Sequence, residues 1–342
     1  MPPTGLNDVL FPRRDTRLGV VARALSGTET GPPADNFVTN EDSFARVAGE
    51  LDRLAPADGV YLGVGPDLNL TYIAHCRPRL AFVLDHRRRN ALLHLLHKAL
   101  FALAPDRAGY LERLTARRPV GPIGPDADAA TLVRAFEEAP LDRARLDAAI
   151  TEVRRYLEPC DVVRDDEWAA LATIQARLAG PGLRARFLAL PIYPTLSQLI
   201  RTPDRAGRPA HLLAAEATYQ AVRSRQLGDR VLPLVGDFAG RDDLPRLGAW
   251  LRRHGLALSV VYVSYVEFFL FRAGRFARYV ENLAGLPWKP GAVLIRSSTR
   301  AIPHPERVAG DHSTTLLRPV ASFLESARAG EIRGIDDLFR AR

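Results

Sequence analysis

Short, unbroken apolar runs recur along the chain, separated by longer stretches in which apolar residues fall at helical spacing. The short runs predict buried strands at 60–64, 80–85, 231–235, 258–266, 292–295 and 314–320. The helical spacing predicts helices at 91–103, 106–114, 128–138, 141–157, 167–178, 210–226, 244–254 and 276–283. Apolar strands that alternate with helices are typical of a mainly parallel sheet covered on both faces. The pattern therefore predicts an α/β protein with a Rossmann-like, doubly wound sheet.

The order of these elements divides the chain into four segments. We expect an N-terminal arm with one helix at 1–35, a first part of the Rossmann-like domain at 36–100, a helical insert at 101–205 and a second part of the domain at 206–342. The insert, at roughly 100 residues, is too long to be a loop. We expect it to form either a cap over the strand ends or an oligomerisation surface, which leaves a homo-oligomer open.

Glycines and acids follow the first two predicted strands, and in such sheets ligands bind beyond the carboxyl ends of the strands. Gly63 and Gly65 let a ligand approach the backbone closely, and Asp67 stands where the next helix starts. Asp85 ends the second strand, 20 residues beyond Gly65, where an acid can accept hydrogen bonds from both hydroxyls of a ribose. Its alternative role is to pair with the arginines at 87–89.

Leu68 bears on which of two classes of nucleotide cofactor the chain is expected to bind. A dinucleotide fingerprint has its third glycine at this position, so leucine disfavours a nicotinamide or flavin dinucleotide. S-adenosylmethionine has no pyrophosphate and does not need that glycine. Class I methyltransferases typically carry an acid after the third strand, near the adenine amino group, and this chain has Gly236, Asp237 and Phe238 there. We expect all three to contact the cofactor.

Polar residues interrupt the apolar run of the fourth predicted strand. Burying polar groups is unfavourable unless they are hydrogen-bonded, so Ser264, Tyr265 and Glu267 are candidate site residues. Alternation along a strand places Tyr265 and Glu267 on one face and Ser264 on the other. We expect the first two to be catalytic, Tyr265 as an aromatic wall for the sulfonium and Glu267 as a polar anchor or base, and Ser264 to contact the cofactor. The alternative is that Ser264 bonds the backbone and Glu267 pairs with an arginine.

Two histidines, His94 and His97, lie three residues apart on the helix that follows Asp85. No nearby Cys, Asp or Glu completes a metal-binding set, so no metal is expected. We expect His94 to face the ligand crevice as a candidate catalytic base.

The amino-acid composition bears on which partners the protein binds and where in the cell it is expected. The formal net charge is +8, yet all but two of the 47 basic residues are arginine, spread along the chain among Asp and Glu. This bias is typical of a GC-rich genome, so nucleic acid is a disfavoured partner. The apolar runs are too short to span a membrane, and the N-terminus lacks a secretory pattern. Two cysteines are too few for a disulfide framework, and a cytoplasmic location is expected.

Several stretches together resemble a family of bacterial proteins with a class I S-adenosylmethionine-dependent methyltransferase-like Rossmann fold. They are 36–41, 60–67, 81–85, 98–101, 106–107, 235–240, 262–267 and 295–297. The resemblance implies this fold and S-adenosylmethionine as the cofactor. The family has asparagine where this chain has Tyr265, so the resemblance does not extend to a shared acceptor.

The sequence thus predicts an S-adenosylmethionine-binding enzyme, first of all a methyltransferase acting on a small molecule. Three alternatives stay open. The enzyme could transfer the aminocarboxypropyl arm of the cofactor or cyclise it. The protein could keep the fold and the cofactor but lack turnover. A nicotinamide oxidoreductase is the third, disfavoured by Leu68.

Overall fold

A six-stranded sheet forms the centre of the protein. The computed structural model describes residues 17–30, 36–54, 58–299 and 301–340. The strands are β1 (Val60–Gly63), β2 (Leu80–Asp85), β3 (Val231–Val235), β4 (Leu258–Ser264), β5 (Trp288–Thr299) and β6 (Ser313–Pro319). Their order is β3-β2-β1-β4-β5-β6, with β1 to β5 parallel and β6 antiparallel to β5. Every residue of β1, β2 and β3 is buried, which is why these strands have unbroken apolar sequences.

Two groups of helices cover the sheet. In chain order the helices are α1 (Arg17–Leu25), α2 (Ala48–Leu54), α3 (Leu68–Cys76), α4 (Arg88–Leu103), α5 (Arg107–Thr115), α6 (Ala129–Glu137), α7 (Arg143–Leu157), α8 (Trp168–Ala179), α9 (Leu196–Arg201), α10 (Glu216–Leu227), α11 (Asp243–Arg253), α12 (Val266–Arg272), α13 (Phe276–Ala284) and α14 (Val320–Arg328). Helices α2, α3, α4 and α10 form one packed group, and α1 with α11 to α14 forms the other. The strand order reverses between β1 and β4, so right-handed crossovers place the groups on opposite faces.

The stretch between β2 and β3 contains the helical insert. Residues 86–230 are all described, and in them α4 to α10 follow one another without a strand. Aspartates begin three of these helices: Asp106, Asp128 and Asp142 each accept a hydrogen bond from the backbone N–H three residues further on. The insert packs on α4 through α7 and α8. The predicted α/β class and mainly parallel sheet are confirmed.

The end of β4 differs from the prediction. The strand ends at Ser264, whose φ of +50° turns the chain, and α12 begins at Val266. The first turn of α12 is as apolar as the strand, so hydrophobicity alone could not separate them. The prediction that Tyr265 and Glu267 share one face of a strand is therefore wrong.

The segment before β1 runs along the carboxyl edge of the sheet. It contains a 3-10 helix, Ser43–Val47, which packs against β6 and continues into α2. Of the predicted arm, the helix is present as α1, whereas 1–16 and 31–35 lie outside the described residues. Within the described part of the chain, no helix is long and apolar enough to cross a membrane.

Candidate functional site

The turn after β1 is built around Asn69, the second residue of α3. Its Nδ2 donates to the carbonyls of residues 64–66 at 2.8–3.0 Å, and the Tyr61 hydroxyl donates to its Oδ1 at 2.9 Å. Gly63 is required because a Cβ there would lie 1.9 Å from Asn69 Oδ1. A buried side chain of the protein therefore fixes the shape of this turn.

Gly65 borders unfilled space inside the turn. Its φ is +82°, and an added Cβ would meet no atom within 4 Å. Its carbonyl accepts hydrogen bonds from Asn90 Nδ2 and His94 Nε2, both at 2.9 Å. Asn90 Oδ1 and His94 Nδ1 are buried and have no hydrogen-bond partner among the described residues. Two orphaned acceptors thus flank a glycine that faces open space, which is an arrangement suited to a ligand with hydrogen-bond donors.

The bond to the Gly65 carbonyl fixes the tautomer of His94. A carbonyl oxygen only accepts, so Nε2 carries the proton and Nδ1 presents a lone pair. Burial lowers the pKa of His94, which keeps the imidazole neutral near pH 7. A neutral imidazole has the protonation state that a base needs, and the role of His94 as a base stays a prediction.

Asp67 begins α3 and faces the segment before β1. Its Oδ1 accepts a hydrogen bond from the Thr39 backbone N–H at 2.9 Å. Burial raises the pKa of Asp67 to about 7, and the charge of Glu41 adds to the shift. Asp67 also lines a small cavity of about 20 Å³ together with His97, whose Nε2 is buried without a hydrogen-bond partner among the described residues.

The acid at the end of β2 already has a partner. Asp85 accepts hydrogen bonds from Arg87 Nε at 2.8 Å and from Arg87 NH2 at 2.7 Å, one on each carboxylate oxygen. Asp85 is buried, and Arg87 covers it. This is the pairing given above as the alternative to ribose binding, and a ribose can reach Asp85 only after Arg87 releases it.

The acid after β3 is also ion-paired. Asp237 lies 2.8 Å from Arg275 NH1, and its Oδ1 accepts from the Ala239 backbone N–H at 2.8 Å. Phe238 is buried, and a Cβ on Gly236 would lie 2.8 Å from a side-chain carbon of Leu84. The geometry of Gly236–Phe238 is therefore dictated by packing within the protein.

Ser264 leads to a residue that the sequence argument missed. Glu41 has 0% exposure, and its carboxylate accepts hydrogen bonds from the hydroxyls of Tyr262, at 2.7 Å, Ser264 and Ser297. These three partners are neutral hydroxyl groups, and in the described part of the chain no cation is hydrogen-bonded to Glu41. Burial raises the pKa of Glu41, and the three hydroxyls offset part of the rise. The only signal in the sequence was the stretch 36–41, which carried the resemblance without singling out Glu41.

Hydroxyl groups extend from Glu41 towards β6. Ser43 Oγ lies 2.6 Å from Ser313 Oγ and 2.8 Å from Thr315 Oγ1. Thr315 Oγ1 in turn lies 3.1 Å from Ser297 Oγ. A chain of hydroxyls therefore connects the segment before β1 to β5 and β6.

Tyr265 and Glu267 lie in different surroundings. Tyr265 is partly exposed, and burial together with the charges of Glu41, Asp42 and Tyr193 raises the pKa of its phenol. Glu267 is 2% exposed and accepts from Arg296 NH2 and the Tyr279 hydroxyl, both at 3.1 Å. Burial raises the pKa of Glu267, while the Arg296 guanidinium acts to lower it. The pairing with an arginine, given above as the alternative, is what the structure contains.

The structure thus gathers some of the predicted residues and separates others. The β1 turn brings Gly63, Gly65, Asp67 and His94 together, and Ser264 and Tyr265 lie beside Glu41. Glu267 is held by Arg296, and both Asp85 and Asp237 are held by arginines. Among the described residues, no group of three or more His, Cys, Asp and Glu could hold a metal ion.

Comparison with known proteins places the chain in a family. No curated protein matches it significantly. Residues 36–330, which exclude the predicted arm and include the sheet and the insert, match the family described as Domain of unknown function (DUF7790). The chain therefore belongs to the DUF7790 family.

Proposed function

We propose that the protein binds S-adenosylmethionine at the carboxyl edge of its sheet and transfers the methyl group to a small molecule. The observation that carries this proposal is the Gly63–Asp67 turn at the reversal of strand order between β1 and β4, where open α/β sheets bind ligands. The antiparallel β6 beside β5 supports a class I methyltransferase-like fold over an all-parallel dinucleotide fold.

The residues around the turn fit such a cofactor in part. Gly65 leaves space for close backbone approach, and Asn90 Oδ1 and His94 Nδ1 offer acceptors without partners in the described chain. Leu68 is buried where a dinucleotide fingerprint has glycine. Asp85 fits a ribose only in a conformation in which Arg87 has moved away from at least one of its carboxylate oxygens.

The cofactor would supply an electrophilic methyl group, and the protein has to orient the acceptor and take its proton. Ser264 is partly exposed and donates its hydroxyl proton to the buried Glu41. An acceptor N–H or O–H that reaches Ser264 can pass a proton to its Oγ as Ser264 passes its own to Glu41. A carboxyl with a raised pKa and neutral hydroxyl partners suits this role better than Glu267, which is neutralised by Arg296.

Ser264 has an unusual backbone for this role. Its φ of +50° is left-handed, a conformation that non-glycine residues adopt at a cost of roughly 1–3 kcal/mol when it is strained. The conformation places its hydroxyl on Glu41. We infer that the backbone is held this way to present the hydroxyl.

Calorimetric titrations with S-adenosylhomocysteine and NAD in parallel test the cofactor. We expect micromolar affinity for S-adenosylhomocysteine and no binding of NAD. Gly65→Ala should abolish the binding, and Gly121→Ala is the matched control because Gly121 has φ +81° and open space at its Cβ but lies in the insert. Tight binding of NAD without S-adenosylhomocysteine, or equal effects of the two substitutions, would refute the proposal.

Product analysis by mass spectrometry separates the alternatives that use the same cofactor. Methyl transfer releases S-adenosylhomocysteine, aminocarboxypropyl transfer releases methylthioadenosine, and cyclisation of the amino-acid arm also releases methylthioadenosine but modifies no acceptor. A protein without turnover releases none of these over long incubation. The arginines that hold Asp85 and Asp237 are the observation that favours this last alternative.

A further inference from the structure

A groove opens between the helical insert and the segment before β1. It encloses about 510 Å³, within the range of roughly 300–1,000 Å³ typical of small-molecule sites. One wall comes from Phe37 and Val38, and the other from the end of α8 and the loop that follows it, including Leu178 and Ala185. The groove therefore lies where the insert meets the segment that leads into the sheet.

The charged side chains that line the groove are all basic. Arg177, Arg184 and Arg186 line it, and its described lining residues include no acid. Phe37, Val38 and Leu178 are buried and apolar. A ligand that satisfies both features is an organic anion with an apolar body.

The loop that closes one side of the groove is strained and apolar. Leu188 and Ala189 both have left-handed backbones, with φ of +47° and +56°. Leu188 is 48% exposed, and Ile192 on the same loop is 65% exposed. The Arg186↔Thr195 bridge closes the base of the loop. Exposed apolar side chains beside a groove are typical of a binding surface.

The groove lies next to the proposed reaction centre. Phe37 and Val38 directly precede Thr39, which bonds Asp67, and they line the cavity of Asp67 and His97 as well as the groove. A molecule in the groove therefore lies near Asp67, at the end of the β1 turn.

We propose that this groove is the acceptor site and takes an organic anion with an apolar body, such as an aromatic carboxylate. This inference rests on the proposed methyl transfer for its role, although the binding itself does not. The arginines hold the anionic group, and the walls of Phe37, Val38 and Leu178 hold the apolar body.

A pair of compounds with one apolar body and opposite charges tests the chemistry of the groove. Ligand-observed NMR titration of the full chain should show 4-phenylbutyrate binding with a dissociation constant on the order of 1 mM, as expected for a ligand of this size. The 4-phenylbutylammonium ion should bind at least tenfold more weakly, and inorganic phosphate should not compete. Equal binding of the two compounds, or competition by phosphate alone, would overturn the proposal.

Matched substitutions test the location. Arg184→Glu should weaken 4-phenylbutyrate binding about tenfold and more at low salt, whereas Arg155→Glu, an exposed arginine of α7 outside the groove, should leave it unchanged. Leu188→Asn should also weaken binding, since asparagine tolerates the left-handed backbone but removes the apolar contact. Leu227→Asn, at a similarly exposed leucine that ends α10, is its control. Equal affinities within each pair would overturn the proposal.

Titration of the same variants with S-adenosylhomocysteine separates the two proposals. We expect Arg184→Glu to bind it as the wild type does. If the wild type binds S-adenosylhomocysteine but Arg184→Glu and Arg155→Glu bind 4-phenylbutyrate equally, the groove is wrong and the proposed function stands. If the wild type does not bind S-adenosylhomocysteine while the groove still selects the carboxylate, the proposed function is wrong and the anion site stands.

Discussion

Two buried glutamates near the carboxyl end of β4 have opposite surroundings. Glu267 lies against the guanidinium of Arg296, which is itself only 3% exposed and sits 4.8 Å from the centre of the Phe323 ring. Glu41 lies among hydroxyls, and no cation is among its hydrogen-bond partners in the described part of the chain. Both glutamates are therefore buried, but Glu267 has a charged partner and Glu41 has neutral ones.

The difference bears on which buried acid suits the proposed role of a base. An arginine at hydrogen-bond distance neutralises a carboxylate and fixes it as part of the core. Hydroxyls can hydrogen-bond to a carboxylate or to a carboxylic acid, since they can donate or accept. Glu41 can therefore gain and lose a proton without breaking its contacts, whereas Glu267 cannot lose its charge without leaving Arg296 unpaired.

The largest effect should come from breaking the ion pair. Glu267→Gln leaves a buried guanidinium without a counter-charge, so the free energy of unfolding should fall by about 3–5 kcal/mol. The double variant Glu267→Gln with Arg296→Met should recover most of this loss. Urea unfolding measures both. A double variant as unstable as the single one would contradict the ion-pair interpretation of Glu267.

The free energy of unfolding should depend on pH because of Asp67, whose pKa is raised by burial and by the charge of Glu41. Above pH about 4 the unfolded chain has lost the Asp67 proton, but the folded protein keeps it up to about pH 7. The stability it contributes is therefore complete below pH 4 and is lost as the pH rises to 7, by about 4 kcal/mol at most.

The Asp67→Asn variant checks this sign. Its free energy of unfolding, measured by urea titration at several pH values, should change less between pH 4 and 7 than that of the wild type. Asp204→Asn is a control, because hydrogen bonds lower the pKa of Asp204. A wild-type protein that gains stability over this range while Asp67→Asn behaves identically would refute the assignment.

Glu41→Gln should separate activity from stability. Glutamine keeps the shape and the hydroxyl contacts, so we expect a loss of less than about 1.5 kcal/mol in the free energy of unfolding. The loss of a proton acceptor should lower methyl transfer by 100-fold or more, as is typical for a general base. Release of S-adenosylhomocysteine at saturating cofactor measures the rate. If Glu41→Gln is fully active, or is as unstable as Glu267→Gln, the two glutamates do not differ as described.

Substitutions of Asp85 and Arg87 should change the affinity for S-adenosylhomocysteine by a smaller amount, and only the substitution of Asp85 should weaken it. If Asp85 binds the ribose, Asp85→Ala should weaken S-adenosylhomocysteine by about 1.5–3 kcal/mol, as for a hydrogen bond to a charged group. Arg87→Ala should leave the affinity unchanged or improve it, because it frees both carboxylate oxygens. Calorimetric titration of the folded variants measures these affinities. Equal losses of affinity in both variants would mean that Asp85 has only a structural role.

The smallest effect concerns Tyr265. An aromatic face beside a sulfonium contributes roughly 0.5–2 kcal/mol, and phenylalanine keeps that face. We therefore expect Tyr265→Phe to bind S-adenosylmethionine as the wild type does and Tyr265→Ala to bind it more weakly. Both variants should keep their affinity for S-adenosylhomocysteine, which is neutral at sulfur. Equal changes in affinity for the two ligands would show that Tyr265 does not contact the sulfonium.

The sequence predicts where the strands lie because they are unbroken apolar runs, and it predicts the helices of the insert because their apolar residues keep helical spacing over long stretches. It also places Asp85 and Gly65 at strand ends. It does not predict which acids are already paired, since Arg275 and Arg296 follow Asp237 and Glu267 by dozens of residues and meet them only in the fold. Glu41 was missed for the same reason: it lies 221 residues from Tyr262 in sequence, in a polar stretch that resembles a helix start.

The hydroxyl chain around Glu41 has a consequence for the order in which the protein is assembled. Ser43 and Ser313 touch across 270 residues, so the surroundings of Glu41 are complete only when β6 has paired with β5. Contacts of such long range form late in folding, after much of the chain entropy has been lost. A nascent chain that ends before β6 therefore carries the glycine turn but not the full set of hydroxyls, so the proposed chemistry at this edge would have to wait until the whole sheet is synthesised.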